Sequence, residues 1–276
     1  MTDATTDSPH RARKRFGQHF LTDRAVLARM VAAFAPAGGQ RIVEIGPGRG
    51  ALTDALMAHQ SAAARDAFAL SAIEIDRDLA RRLAQRYLPE QATIIQADIL
   101  AFDLRDAHAD APDARLRLIG NLPYNIATQI IFRLMTQAAR IEDMLFMLQR
   151  EVALRLCAPP GGQHRGRLSV MAEIALEREM LFDVPPRAFA PPPKVDSTLV
   201  HLRPKTNPLT ALDRATLDAV VVAAFSQRRK TLRNALSELA RERHFIRADV
   251  DPSLRAETLS AEAFIALADA VANDAL

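Results

Sequence analysis

The chain has 276 residues, 49% hydrophobic and 25% charged, with a net charge of +3 at neutral pH, which describes a globular sequence long enough for one large domain and a small one. A single cysteine, Cys157, excludes an intramolecular disulfide and fits a reducing, cytoplasmic setting. No apolar run approaches membrane-spanning length, and Met1–His10 lacks the apolar region of a signal peptide.

Residues 1–12 read as a disordered basic tail. Arg11, Arg13, Lys14 and Arg15 then run into Phe16-Gly17-Gln18-His19-Phe20-Leu21. A basic arm abutting aromatic residues and a glycine suits gripping phosphates while closing over a ligand. Thr22 or Asp23 can cap the next helix, whose apolar positions are Val26, Leu27, Met30, Val31 and Phe34.

Arg41-Ile-Val-Glu44-Ile-Gly46-Pro-Gly48-Arg-Gly50, followed by a helix from about Ala51, is an apolar strand entering a glycine-rich turn. That is the first unit of a nucleotide-binding α/β sheet. The Gly-x-Gly-x-Gly spacing differs from the dinucleotide Gly-x-Gly-x-x-Gly, which points to a ligand without a pyrophosphate, such as S-adenosylmethionine. A second strand over Phe68–Ile75 ends in Glu74-Ile75-Asp76. An acid there can bind ribose hydroxyls; Glu74 is the choice and Asp76 the competitor, with helix capping as its alternative role. A third strand over Ala92–Gln96 leads to Asp98, placed to accept from an adenine amino group, with Ile99 packing on the ring. Residues 59–66 and 103–113 read as polar connections.

The centre of the chain is Ile119-Gly120-Asn121-Leu122-Pro123-Tyr124-Asn125, after the apolar run Leu116–Ile119 and before the helical pattern of Ile126, Ile130, Ile131 and Leu134. Asn-Leu-Pro-Tyr resembles the [Asn/Asp/Ser]-Pro-Pro-Tyr motif of methyltransferases that modify exocyclic amines. The residue types suit that chemistry, because an adenine 6-amino group delocalises its lone pair into the ring and is a poor nucleophile. The Asn121 side-chain oxygen and the Leu122 carbonyl can each accept one amine N–H and aim the lone pair at a methyl donor. Pro123 stiffens the turn and Tyr124 offers a ring for base stacking. No carboxylate base is required, since the amine proton becomes acidic on methylation. Gly46, Glu74, Asp98 and Asn121 at four successive strand ends form one combination.

Ile141–Leu148 is a further buried strand, and Gln149-Arg150-Glu151 opens a helix in which Cys157 reads as a small buried thiol. Pro159–Gly166 is expected to be a mobile, basic loop; its His164 has no partner at metal-ligand spacing, so no metal is assigned. The proline-rich 184–197 stretch holds Phe189, which can stack on the target base opposite Tyr124 or plug the core. Ser197–Leu202 alternates as a last strand. Three helices follow, at Leu212–Phe225, Thr231–Leu236 and Ala261–Val271, giving a helical domain over 205–276 after a methyltransferase domain over 13–204. Its basic run contains Arg228, Arg229, Lys230 and Arg233, which with Arg13, Lys14 and Arg15 would form a two-sided phosphate grip.

Five stretches together resemble the small-subunit ribosomal RNA adenine dimethyltransferases of RsmA/KsgA type: residues 14–21, 43–48, 120–125, 189–197 and 227–234, in order along the chain. The resemblance implies a Rossmann-like α/β class I methyltransferase sheet with a small all-helical C-terminal domain. It implies dimethylation of two adjacent adenosines near the 3′ end of 16S RNA, in the small subunit or its precursor, by a monomer with a part in subunit assembly. S-adenosylmethionine is the implied cofactor, S-adenosylhomocysteine its product, with no metal. By motif position the cofactor contacts fall on His19, Leu21, Gly46, Glu74, Asp98 and Asn121. The family commonly has Asn where this chain has His19, whose protonation would then modulate cofactor binding.

Three other readings compete. The long Pro-Pro-Pro-Lys-Val-Asp-Ser loop and Gln-Arg-Arg-Lys-Thr-Leu-Arg argue against the related large-subunit enzymes of antibiotic resistance. Leu-Pro-Tyr, in place of Pro-Pro-Tyr, argues against a DNA adenine methyltransferase. An RNA-binding assembly factor with vestigial catalysis would be expected to have lost Glu74, Asp98 or Asn121, and all three are present.

Overall fold

The computed structural model of the protein describes residues 19–63, 67–111, 113–227 and 229–274. The expected tail over 1–12 and the basic residues Arg13, Lys14, Arg15 and Arg228 lie outside them. Strands and helices alternate through most of the chain: β1 (Phe20–Leu21), α1 (Arg24–Phe34), β2 (Arg41–Ile45), α2 (Ala51–Ala63), β3 (Ala69–Glu74), α3 (Arg77–Arg86), β4 (Thr93–Gln96), β5 (Leu116–Asn121), α4 (Ala127–Met135), β6 (Ile141–Gln149), α5 (Arg150–Cys157), α6 (Arg167–Ala175), β7 (Leu176–Val184), β8 (Phe189–Ala190) and β9 (Ser197–Pro204). The remainder is helical: α7 (Arg214–Ser226), α8 (Leu232–Ala235), α9 (Glu242–Arg247) and α10 (Ala261–Ala272).

The main sheet has the order β4-β3-β2-β5-β6-β9-β7. β4 to β6 pair in parallel, and β9 runs antiparallel to both neighbours. Parallel strands covered on both faces are buried nearly throughout, and β2 and β5 have four and five buried residues respectively, Glu44 and Arg117 among them. On one face α1 and α2 pack Met30, Phe34, Leu52 and Leu56 over Ile42, Leu70 and Leu145. On the other, α4 and α6 bring Ile130, Leu134 and Met171 against Leu118, Phe146 and Val200. Leu217, Val220 and Phe264 of α7 and α10 belong to this second core, so the helical section shares its apolar interior with the sheet.

Local chemistry sets the helix starts. Of the two candidate caps for α1, Asp23 does the capping, accepting from the N–H groups of Ala25 and Val26 at 2.9 and 3.1 Å. Asp76 caps α3, accepting from Asp78 and Leu79. The α6–β7 segment has no clean period, because Leu168-Ser-Val-Met-Ala-Glu-Ile-Ala-Leu176 is apolar at both helical and strand spacings, and the helix runs directly into the strand.

Pro159–Gly166 is not the mobile loop its composition suggests. The Gly161 N–H donates to the Glu257 carbonyl at 2.7 Å. Arg165 is buried and donates to the carbonyls of Leu259 and Ala158 and to Glu173 at 3.0, 3.1 and 2.6 Å. A guanidinium taken out of water must be matched by acceptors, and here those acceptors tie the loop to the helical section. Cys157 is half-buried in α5, and burial pushes its thiol up, with Arg178 opposing the shift.

Candidate active site

The strand order reverses at β2, with β3 and β4 to one side and β5 and β6 to the other. The loops leaving β2 and β5 therefore diverge and open a crevice at the carboxyl ends of the strands. Gly46 turns the chain out of β2 at φ +69°, a conformation that disfavours a side chain, and its N–H donates to the Ile73 carbonyl at 2.9 Å. Gly120 lets β5 approach β2: a Cβ there would sit 2.4 Å from the Ile45 carbonyl oxygen. This close approach sets Asn121 beside the glycine turn.

Glu74 ends β3 almost fully buried, with its carboxylate oriented by the backbone. Oε2 accepts the Gly48 N–H at 3.0 Å and Oε1 accepts the Asp76 N–H at 2.9 Å. Burial raises its pKa and these two bonds oppose the rise. Each oxygen keeps further acceptor capacity. Glu74 lines the crevice, whereas Asp76 caps α3 and is not in the lining. Asp98 lies beyond β4, one oxygen bracing the Leu100 N–H at 2.9 Å, with Ile99 buried beside it.

The Asn121 side chain is held in a fixed orientation. Its Nδ2 donates to the His19 carbonyl at 2.8 Å. A carbonyl can only accept, so this bond fixes which end of the amide is nitrogen. The opposite atom, Oδ1, is buried without a hydrogen-bond partner. Such an atom costs about 1–3 kcal/mol and calls for an explanation. Leu122 follows with its side chain buried and its N–H on the Met147 carbonyl at 3.2 Å. Tyr124 is pinned by a 2.5 Å hydrogen bond between its hydroxyl and Ser197. The His19 ring stacks on Tyr124 with centroids 5.4 Å apart and an interplanar angle of 25°. His19, Leu21, Gly46, Glu74, Asp98, Asn121, Leu122 and Tyr124 all line this one crevice.

Phe189 does not join them. Its ring is 3% exposed and lies in the core beneath α1 and α2, because β8 pairs antiparallel with β1 in the register Leu21↔Phe189. The pairing turns the ring inward, so the expected stacking role gives way to packing. Arg229, Lys230 and Arg233 are exposed around the start of α8 and do not line the crevice; Arg233 pairs with Glu242. Among the described residues no helix is long and apolar enough to cross a membrane, and no group of His, Cys, Asp and Glu is arranged to hold a metal ion.

Sequence reasoning assigned no role to Glu44, which lines the crevice at 1% exposure. Its Oε2 accepts the Thr53 hydroxyl at 2.7 Å. Burial pushes its pKa from 4.5 up to about 8, with Thr53 opposing and Glu74 and Asp54 adding to the rise. An acidic residue inside the apolar run of β2 was the available signal. The folded protein holds this proton while the unfolded chain releases it above about 4.5, so the contribution to stability falls as pH rises from 4.5 to about 8. Glu44→Gln is expected to stabilise the fold by up to about 4 kcal/mol at pH 8 and to have little effect at pH 4.5. Urea unfolding at both pH values checks this.

Comparison with known proteins places these features in context. The family model described as ribosomal RNA adenine dimethylase matches residues 9–273. The ribosomal RNA small subunit methyltransferase A of Aromatoleum aromaticum is 48% identical over 266 residues, covering 96% of each chain. That of Methylococcus capsulatus is 50% identical, covering 94% of this chain and 97% of its own. Among solved structures, the 23S rRNA methyltransferase ErmE is 26% identical with a TM-score of 0.65, covering 92% of this chain and 99% of that one. A dimethyladenosine transferase from Plasmodium falciparum is 21% identical with a TM-score of 0.70, covering 90% and 96%, and shares the fold.

Proposed function

The chain belongs to the ribosomal RNA adenine dimethylase family, and on that footing we propose that it dimethylates the 6-amino groups of two adjacent adenosines near the 3′ end of 16S RNA, within the small subunit or its precursor. Relatives named for the small subunit are 48% and 50% identical, against 26% for the 23S enzyme, which favours the small-subunit substrate. The observation that carries the reading is the unpartnered Asn121 Oδ1, held in a crevice with the glycine turn, Glu74 and Asp98.

The residues present suit S-adenosylmethionine. The turn after Gly46 gives close backbone approach, Glu74 offers acceptors for ribose hydroxyls, and Asp98 with Ile99 offers an acceptor and an apolar face for adenine. When bound, that cofactor supplies an electrophilic methyl group. Asn121 Oδ1 accepts one N–H of the target amine and the Leu122 carbonyl accepts the other. The two acceptors draw the nitrogen out of conjugation with the ring and expose its lone pair. The His19 carbonyl holds the Asn121 amide in this orientation, so none of its geometry has to form during the reaction. Ser197 holds Tyr124, whose ring receives the base. No carboxylate is required as base, because the amine proton leaves to water once nitrogen carries the new methyl group. Arg229, Lys230 and Arg233, with Arg13, Lys14 and Arg15, supply phosphate contacts.

The test incubates purified protein with radiolabelled S-adenosylmethionine and small subunits lacking the modification, with large subunits and free DNA as competitors, then identifies the labelled nucleoside. Label in dimethyladenosine of 16S RNA supports the reading. Label confined to large-subunit RNA moves the assignment to the 23S enzymes, and tight subunit binding without transfer leaves an assembly factor.

A further inference from the structure

His19 meets the crevice in three ways. Its backbone carbonyl receives the Asn121 amide. Its ring lies on Tyr124. Its Nδ1 is 2.8 Å from the Pro191 carbonyl, which can only accept, so Nδ1 carries the proton and donates. The ring is thus a planar nitrogen heterocycle in the wall of the crevice that holds the Asn121 oxygen, stacked on the pinned tyrosine and donating one N–H to a backbone carbonyl. A ring on Tyr124 takes up stacking surface that a base bound there would need. Of the other aromatic groups lining the crevice, Phe20 lies under the Arg49 guanidinium at 4.6 Å, on the side of the glycine turn, so Tyr124 is the ring beside Asn121 that a base can use.

Resting on the functional reading above, we infer that the His19 imidazole is a place-holder for the target adenine. In the free protein it covers the Tyr124 face that the base takes, and it swings off that face when the base enters, freeing the Pro191 carbonyl. The backbone carbonyl of His19 stays on Asn121 throughout, so the ring can move while the acceptor geometry is kept. His19 therefore acts as a positioning residue that sets how much of the protein is open to substrate at any moment. An aromatic stack of this kind holds the closed form in about three- to tenfold excess, and the apparent affinity for the base is reduced by the same factor.

The inference is tested by kinetics on unmodified small subunits with wild type, His19→Ala, His19→Asn and His19→Phe. All four keep the backbone carbonyl. Asn retains a donor for Pro191 without a ring, and Phe retains a ring without the donor. With S-adenosylmethionine saturating for each variant, so that a change in cofactor affinity does not enter, His19→Ala and His19→Asn should raise kcat/KM for subunits about three- to tenfold, mainly through KM; His19→Phe should not exceed wild type. A second readout is independent of turnover. One of the seven histidines should show ring C–H proton resonances shifted upfield, lost in His19→Ala and returned to the ordinary position in Tyr124→Leu. An Ala variant no faster than wild type, or the absence of any histidine resonance that responds to Tyr124→Leu, overturns the place-holder while leaving the methyltransferase reading intact. No transfer by wild type itself would bring down both.

Discussion

Asn121→Ala lowers the rate of methyl transfer by about 10²–10³-fold while the variant still binds cofactor and subunit within a few-fold of wild type. The expectation follows from how the side chain is held. Nδ2 is committed to the His19 carbonyl, and Oδ1 is buried with nothing to accept from. The protein has already met the cost of desolvating that oxygen, so its full strength as an acceptor goes to the amine when the base arrives. Removing one pre-oriented polar group from such a site typically costs about 10²–10³ in kcat. Stability should change little: alanine removes an unsatisfied buried acceptor together with one good hydrogen bond, so unfolding free energy should change by less than about 1 kcal/mol. Asn121→Asp separates the two bonds. It keeps an acceptor but sets a carboxylate against the His19 carbonyl, and it should retain more activity than Ala only where that acid is protonated. Single-turnover transfer to unmodified subunits, alongside urea unfolding, checks both halves. Loss of cofactor binding equal to the loss of rate would show that Asn121 serves the cofactor and not the amine.

The second large effect is on the fold. Arg117 in β5 and Asp143 in β6 form a bidentate ion pair at 2.7 and 2.8 Å, both side chains about nine-tenths buried. The other guanidinium hydrogens reach the carbonyls of Phe34 and Ala35, at the end of α1, and Gln40 at 2.7, 3.2 and 2.9 Å. Its face lies 4.2 Å from the Phe34 ring centroid. His201 in β9 adds a bond to Asp143 at 2.9 Å. One side chain thus joins the end of α1 to three adjacent strands. Arg117→Ala would leave a buried carboxylate without its cation and the Phe34 and Ala35 carbonyls without this donor, and is expected to cost about 3–5 kcal/mol, which lowers the melting temperature by about 10 °C for a chain of this size. Removing both partners as Arg117→Met with Asp143→Leu should cost much less than the sum of the single changes, because no lone charge is left behind.

This network also sets an acid limit. Burial works to raise the Asp143 pKa, but hydrogen bonds from Arg117 and His201 outweigh it and hold the group down at about 2, against 3.8 ordinarily. For a depressed carboxylate the contribution is fully present above 3.8 and is lost as pH falls through about 2. The acid shoulder in unfolding free energy should be absent in Asp143→Asn.

The legible part of the molecule and the hidden part differ in the range of the interactions behind them. Gly46, Glu74, Asp98 and Asn121 could be placed on successive strand ends from sequence alone, since an apolar run, a turn residue and a helical period within about fifteen residues identify each βα unit, and parallel α/β sheets put those ends together. The acceptor role proposed for Asn121 comes from the same local signal: the amide, the proline and the tyrosine are close together in sequence. The capping choices were only half legible, because Thr22 and Asp23 are equally suitable by type and backbone geometry selects Asp23.

Tertiary structure decided everything that depended on pairings far apart in the chain. Phe189 became a core residue because β8 pairs with β1, some 170 positions earlier. Arg165 was drawn out of an apparent surface loop by the Leu259 carbonyl, 94 residues away. The Arg117 network joins four segments, no two of which share a local signal. Glu44 owes its proton to complete burial between β3, β5 and α2, and His19 owes its place on Tyr124 to a carbonyl 172 residues along the chain. Residue type and spacing state what a side chain can do; the dielectric around it and the groups facing it, which only the closed fold supplies, determine what it does.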